Sequence, residues 1–228
     1  MRLLPAAIIV VTLGTIGAAQ TKDAPTVDLH GKLYKAVFSS GTGMLAVPDL
    51  AAVPEPLRAR LEKYLTRRTA FKSSYKSEPD SLQKVRADAK RRVLERAIVS
   101  LIDTPGIEKA AADFVAAAPI AYEWEGLHDG PIAEANFAEG VLKKAPSSPL
   151  AAWLYVFIAD RQRVAFEAYE NEKNEDGMKA AAKKYRTFIE RGRALDDPIF
   201  GALIEDMERL PYLYIKTTKH PRDYGPDS

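Results

Sequence analysis

Residues 150–160 read LAAWLYVFIAD, the most apolar run of the chain outside its first nineteen residues. Ser148 and Pro149 stand just before it, a capping residue followed by a proline that an opening helical turn tolerates. From there Leu150, Trp153, Leu154, Phe157, Ile158, Val164 and Ala168 recur at helical spacing. A helix on the surface of a globular protein shows a single apolar stripe. The first half of this one is apolar on more than one side, which predicts the central and most buried helix. Leu33–Phe38 could form a short strand or a turn of helix, and a lone strand has no partner here.

The flanking sequence reads the same way. Upstream, Leu57, Leu61, Tyr64 and Leu65 predict a helix opening near Pro54 and ending near Phe71. A second, capped by Asp80 or Ser81, carries Leu82, Val85, Ala89, Leu94, Ala97, Ile98 and Leu101 and stops at Thr104-Pro105-Gly106. A third carries Ile107, Ala111, Phe114 and Val115, and Pro119 interrupts it. Pro131 opens a fourth with Ile132, Ala133, Phe137, Val141 and Leu142, and Lys143 and Lys144 suit the negative end of its dipole. After the long central helix, ENEKNEDG makes a polar loop. A sixth helix carries Met178, Ala181, Ala182, Tyr185, Phe188 and Ile189. Asp197-Pro198 caps a seventh with Ile199, Phe200, Leu203, Met207 and Leu210, and Pro211 ends it. The expected fold is all-α, an antiparallel helix bundle or short α-solenoid of about seven helices.

The ends divide from this body. Residues 1–19, MRLLPAAIIVVTLGTIGAA, have the basic start, apolar core and small closing residues of a secretory signal peptide. Residues 20–53 predict an extended arm, 54–211 the helical domain and 212–228 an extended tail. The expected location is periplasmic or secreted, with no transmembrane segment once the signal is removed. The Gly/Ser run at 39–43 lacks the lysine and spacing of a phosphate-binding loop. The chain has no cysteine, which excludes disulfides, thiolate metal sites, a cysteine nucleophile and a lipid-bearing cysteine.

The pairs formed by the fourth and fifth and by the sixth and seventh helices share a layout. Ala133 and Phe137 precede Val141, a turn and Pro149; Ala181 and Tyr185 precede Ile189, a turn and Pro198. A small residue four before an aromatic lets two helices approach and lets the ring fill the gap. Over residues 131–210 this resembles tetratricopeptide-type helical repeats of exported bacterial proteins. The resemblance implies stacked helix pairs and a groove that takes a protein partner.

Formal charge is only +2, but it is unevenly spread. Residues 55–96 hold thirteen Lys/Arg against six Asp/Glu, and residues 103–140 hold eight Asp/Glu against one lysine. Mutual attraction between the two blocks accounts for this. The other reading is a basic face for an anionic envelope surface, densest at Lys90, Arg91 and Arg92. No base-reading motif accompanies it, so nucleic acid is the weakest partner class.

Candidate chemistry gathers in YEWEGLHDGP, where Glu123, Glu125, His128 and Asp129 lie within seven residues. Carboxylates and an imidazole suit metal ligation or general acid–base work, and together they make a metal-dependent hydrolase the alternative function. Their spacing matches no metal motif, so no metal or other cofactor is assigned. Glu123 and Glu125 would diverge by about 200° on a helix and converge only in a loop. Asp129-Gly130-Pro131 reads equally well as a turn. On the central helix, Arg163 and Glu167 stand four apart and can pair on one face, part of a polar cluster with Asp160, Arg161, Gln162 and Glu170. The function expected from these features is a scaffold or accessory protein that binds another envelope protein through an inter-helix groove.

Overall fold

A computed structural model describes residues 55, 58–60, 62–63, 81–120 and 124–225, without the side chains of 81–88, 91 and 99. The expected signal peptide, N-terminal arm and Gly/Ser run lie outside these residues, as does most of the first expected helix. Residues 58–60 and 62–63 of that helix are helical. The rest of the described chain forms α1 (Ser81–Ser100), α2 (Ile107–Ala117), α3 (Asp129–Lys144), α4 (Ala151–Asn171), α5 (Glu175–Arg193), α6 (Pro198–Arg209) and a 3-10 turn (Pro221–Asp223). No strand occurs among the described residues, and the helices pack against one another as an all-α bundle. No described helix is long and apolar enough to cross a membrane.

Helix α4 is the axis of the bundle, with its most extensive contacts to α3 and α5. Every residue from Val156 to Ala168 is buried. Its apolar half carries the aromatic core. Trp153 and Phe157, one helical turn apart, stack with ring centroids 4.7 Å apart, and Phe114 of α2 meets both edge-on at 5.8 Å. Phe137 of α3 closes on Phe114 at 5.6 Å. Rings of this size remove large apolar areas from water, and truncating one typically costs about 3–5 kcal/mol. A second, smaller cluster joins Phe166 of α4 to Met178, Ala181 and Ala182 of α5, with Tyr169 and Tyr224 against it.

Helix boundaries follow their caps. The Asp197 carboxylate accepts the Ile199 N–H at 2.8 Å and the Phe200 N–H at 3.3 Å, and Pro198 occupies the first turn of α6 as expected. The loop expected over ENEKNEDG shrinks to three residues. Asn174 accepts the Gly177 N–H at 2.9 Å, and Glu175 and Asp176 lie in the first turn of α5, where the dipole favours acids. Helix α3 begins at Asp129 rather than Pro131, and α4 begins at Ala151 rather than Pro149.

The stripe of α3 also differs from expectation. Ala133 is exposed and Ile132 half-buried, while Pro131, Glu134, Ala135, Ala138 and Leu142 are buried. Glu134 is drawn inward by partners that its own sequence neighbourhood does not reveal. Arg161 Nε donates to its Oε2 at 2.6 Å, and the Trp124 indole N–H donates to its Oε1 at 3.1 Å. The Arg161 guanidinium lies over the Trp124 and Phe157 rings, at 4.8 and 4.6 Å from their centroids. Gly130 makes room for this indole, because a Cβ there would fall 2.2 Å from Trp124 Cδ1.

The last described segment, residues 211–225, is free of α-helix and closes on the 3-10 turn, and it is fastened to the bundle along its length. The Glu167 carboxylate accepts three successive backbone N–H groups, from Leu213, Tyr214 and Ile215, at 2.6, 2.7 and 2.9 Å. One turn on, Glu170 accepts the N–H groups of Thr218 and Lys219 and the Thr218 hydroxyl. Glu175 then takes the Lys219 ammonium at 2.8 Å and the Tyr224 hydroxyl at 3.2 Å. Three carboxylates on α4 and α5 thus hold the strap.

Candidate functional site

Among the described members of the acid–histidine segment, His128 and Asp129 approach each other while Glu125 is exposed. Glu123 lies outside the described residues. Glu125 is exposed at a positive φ of 51° beside Gly126, which turns the chain there. His128 finds its partners at the end of α4 instead: its Nδ1 lies 2.7 Å from an oxygen of Glu172, the residue after the helix, and its ring stacks on Tyr169 at 4.2 Å. Its Nε2 lies 3.2 Å from an Asp129 oxygen, and Asp129 is 86% exposed. Both imidazole nitrogens are therefore occupied in joining α3 to the end of α4. Among the described residues no group of three or more His, Asp or Glu side chains is placed to hold a metal ion.

The basic block is engaged in packing where it is described. Lys90 Nζ donates to the Ala116 carbonyl at the end of α2 at 3.0 Å, and Arg60 donates to the Ser100 carbonyl at the end of α1 at 2.8 Å. Lys63 pairs with Asp103. Cations at the negative ends of helix dipoles, and one on an acid of the following block, are what mutual attraction predicts. Arg92 is half-buried. The side chain of Arg91 lies outside the described residues.

The polar half of α4 is a structural network. Arg161 joins Glu134 to Asp160. Arg163, 1% exposed, stands 3.7 Å from Glu167. It also donates to the carbonyls of Met207 and Leu210, so it caps the C-terminal end of α6 from the side. Burial pushes the Glu167 carboxyl up from its ordinary range, while the three strap N–H groups and Arg163 pull it back. Burial likewise pushes the Tyr185 phenol up, helped by the Glu208 carboxylate that its hydroxyl meets at 3.4 Å.

A concave surface opens where the strap ends. Between α5 and the 3-10 turn lies a groove of 460 Å³, lined by Lys179, Lys183, Arg186, Glu190, Tyr224 and Gly225 among others. Helical spacing puts Lys179, Lys183 and Arg186 on one face of α5. Arg186 ties the far wall to the helix, donating to the Pro221 carbonyl at 3.2 Å and the Gly225 carbonyl at 3.5 Å. Lys179 and Lys183 are exposed, and neither closes an ion pair among the described residues. The groove therefore offers two solvated ammonium groups beside an anchored guanidinium, over about 11 Å of an α5 wall that runs about 17 Å from Lys179 to Glu190 at 1.5 Å per helical residue.

His220 secures the turn that forms the groove wall. The residue is 7% exposed. Its Nδ1 accepts the Arg222 N–H at 3.1 Å, and its ring meets Tyr185 edge-on at 6.1 Å. Burial, with Arg163 and Arg222 beside it, pushes its imidazole down to about 3. Sequence reasoning singled out His128 for its acidic neighbours and passed over His220, whose governing neighbour Arg163 is distant in the chain. Comparison with protein-family models, with curated proteins and with solved structures found no match.

Proposed function

We propose that the chain is an exported helical accessory protein that holds an envelope protein through the groove between α5 and the C-terminal turn. The observation that carries this reading is the row of Lys179, Lys183 and Arg186 along one wall of that groove, with Tyr224 and Gly225 opposite. An exposed lysine that closes no ion pair among the described residues, as Lys179 and Lys183 do not, is available to an incoming carboxylate. A groove about 17 Å long accommodates about five residues of extended chain. The partner segment is acidic. On this reading the helix pairs α3/α4 and α5/α6 act as two tetratricopeptide-like units, and the leader at residues 1–19 delivers the protein to the periplasm or the medium.

Fluorescence anisotropy with labelled hexaaspartate tests it on the purified protein. The probe should bind at low ionic strength and weaken as salt is added. Changing Lys179→Ala and Lys183→Ala together should lower affinity about tenfold, at up to about 1 kcal/mol for each solvated pair. Equal affinity for the double variant and the unaltered protein would remove the groove as the site.

A further inference from the structure

The groove has one rigid wall, α5, and one wall that depends on the strap. Tyr224 and Gly225 hold their places because residues 220–225 fold into a short turn against α5 and the end of α6. His220 begins that turn. Its carbonyl accepts the Asp223 N–H at 3.0 Å, and its Nδ1 accepts the Arg222 N–H. A nitrogen that accepts a backbone N–H must be unprotonated, so the docked turn requires a neutral imidazole.

The groups packed around that ring reinforce the requirement. From α4 comes the Arg163 guanidinium, from the turn itself Arg222, and from α5 the edge of Tyr185. From α6 comes the Glu208 carbonyl, which favours the charged ring but is itself shared with Arg222 Nη1 at 3.1 Å. The Glu208 carboxylate is turned to Arg193 and the Tyr185 hydroxyl. A proton on this ring therefore adds a positive charge beside buried Arg163 and the more exposed Arg222, whose own partner is Asp223 at 3.7 Å, and replaces an acceptor with a donor facing a donor.

We propose that His220 is a proton-operated latch on the groove: the neutral ring keeps the C-terminal turn docked, and its protonation frees the turn and dismantles the wall made by Tyr224 and Gly225. The control of ligand binding rests on the groove reading above; the latch itself rests on the geometry of the turn. The depressed imidazole gives the sign. A group lowered in the docked state favours docking above its free value and opposes it as pH falls from about 6.5 toward about 3. Glu167 is raised by burial, while the strap N–H groups that it accepts pull it back down.

The test is amide exchange of Arg222 and Asp223 in the full chain, corrected for intrinsic rates, alongside hexaaspartate binding at the same pH values. Between pH 7.5 and 5.5 the opening constant should rise several-fold, up to about tenfold, and probe affinity should fall with it. In His220→Gln, whose side-chain oxygen can accept the Arg222 N–H but does not titrate, the opening constant should stay level. That variant retains Glu167, so the difference between the two profiles isolates the imidazole. A level profile in the unaltered protein overturns the latch, as does an equal rise in the variant. Opening amides with unchanged probe affinity overturn its control of the groove. Opening amides in a protein that binds no probe even at pH 7.5 uphold the latch and remove the groove reading instead.

Discussion

His128 and His220 carry the same side chain into contrary surroundings. His128 sits between the carboxylates of Glu172 and Asp129 on a partly open edge, with 28% of its side chain exposed. His220 is buried beside Arg163 and Arg222. The first joins two helix ends through groups that water can replace, so its loss changes little. The second belongs to a network in which Arg163 caps α6, pairs with Glu167 and crowds the imidazole, so a change in one member reaches the strap and the groove. Clustered acids around a histidine in sequence mark a surface tie here, whereas the histidine with consequences has no cluster around it in the chain.

The largest effect expected from this contrast is at Arg163. Arg163→Ala leaves the Met207 and Leu210 carbonyls without their donor and Glu167 buried without its cation. Breaking one side of a buried pair costs about 3–5 kcal/mol. Denaturant unfolding should report a loss of that size, and a loss below about 1 kcal/mol would dissolve the contrast.

Glu167→Gln comes next. One amide oxygen must replace two carboxylate oxygens that accept three N–H groups, at a cost of about 1–3 kcal/mol. Loss of protection should be concentrated at Leu213, Tyr214 and Ile215. The substitution also removes an acid-side contribution, because a carboxyl raised by burial stabilises the fold at low pH and ceases to do so as pH rises through its folded value.

His220 supplies the opposite slope. Stability should fall by about 1 kcal/mol between pH 7.5 and 5.5, allowing for solvent screening near the surface, and His220→Gln should flatten that part of the curve. The smallest effect is at the other histidine. His128→Gln and Glu172→Gln should each cost less than about 1 kcal/mol, as partly exposed pairs do. A larger loss there would make the acid–histidine corner more than a tie between helix ends.

The helical body was legible because its signals are local. The apolar faces of residues 150–160, the Asp197-Pro198 cap and the four-residue spacing of Arg163 and Glu167 each lie within a few turns, and each appears in the fold as read. Of the opposed charge blocks at residues 55–96 and 103–140, one described ion pair, Lys63 with Asp103, joins the two, while Arg60 and Lys90 meet backbone carbonyls. The burial of Glu134 was not legible, because it depends on Arg161 and Trp124, partners outside its own helix. The docking of the strap was illegible for a different reason. Glu167 and Glu170 grip mainly backbone N–H groups, which every non-proline residue carries, so residues 213–219 bear little side-chain mark of it.

The groove, the neutral histidine and the turn beside the end of α6 all depend on the strap being part of the folded body. Amide exchange at pH 7.5 resolved at Leu213, Tyr214 and Ile215 reads it directly. Protection at these three positions approaching that of the buried turns of α4 is the predicted result. Exchange at the rate of an unstructured chain would contradict it.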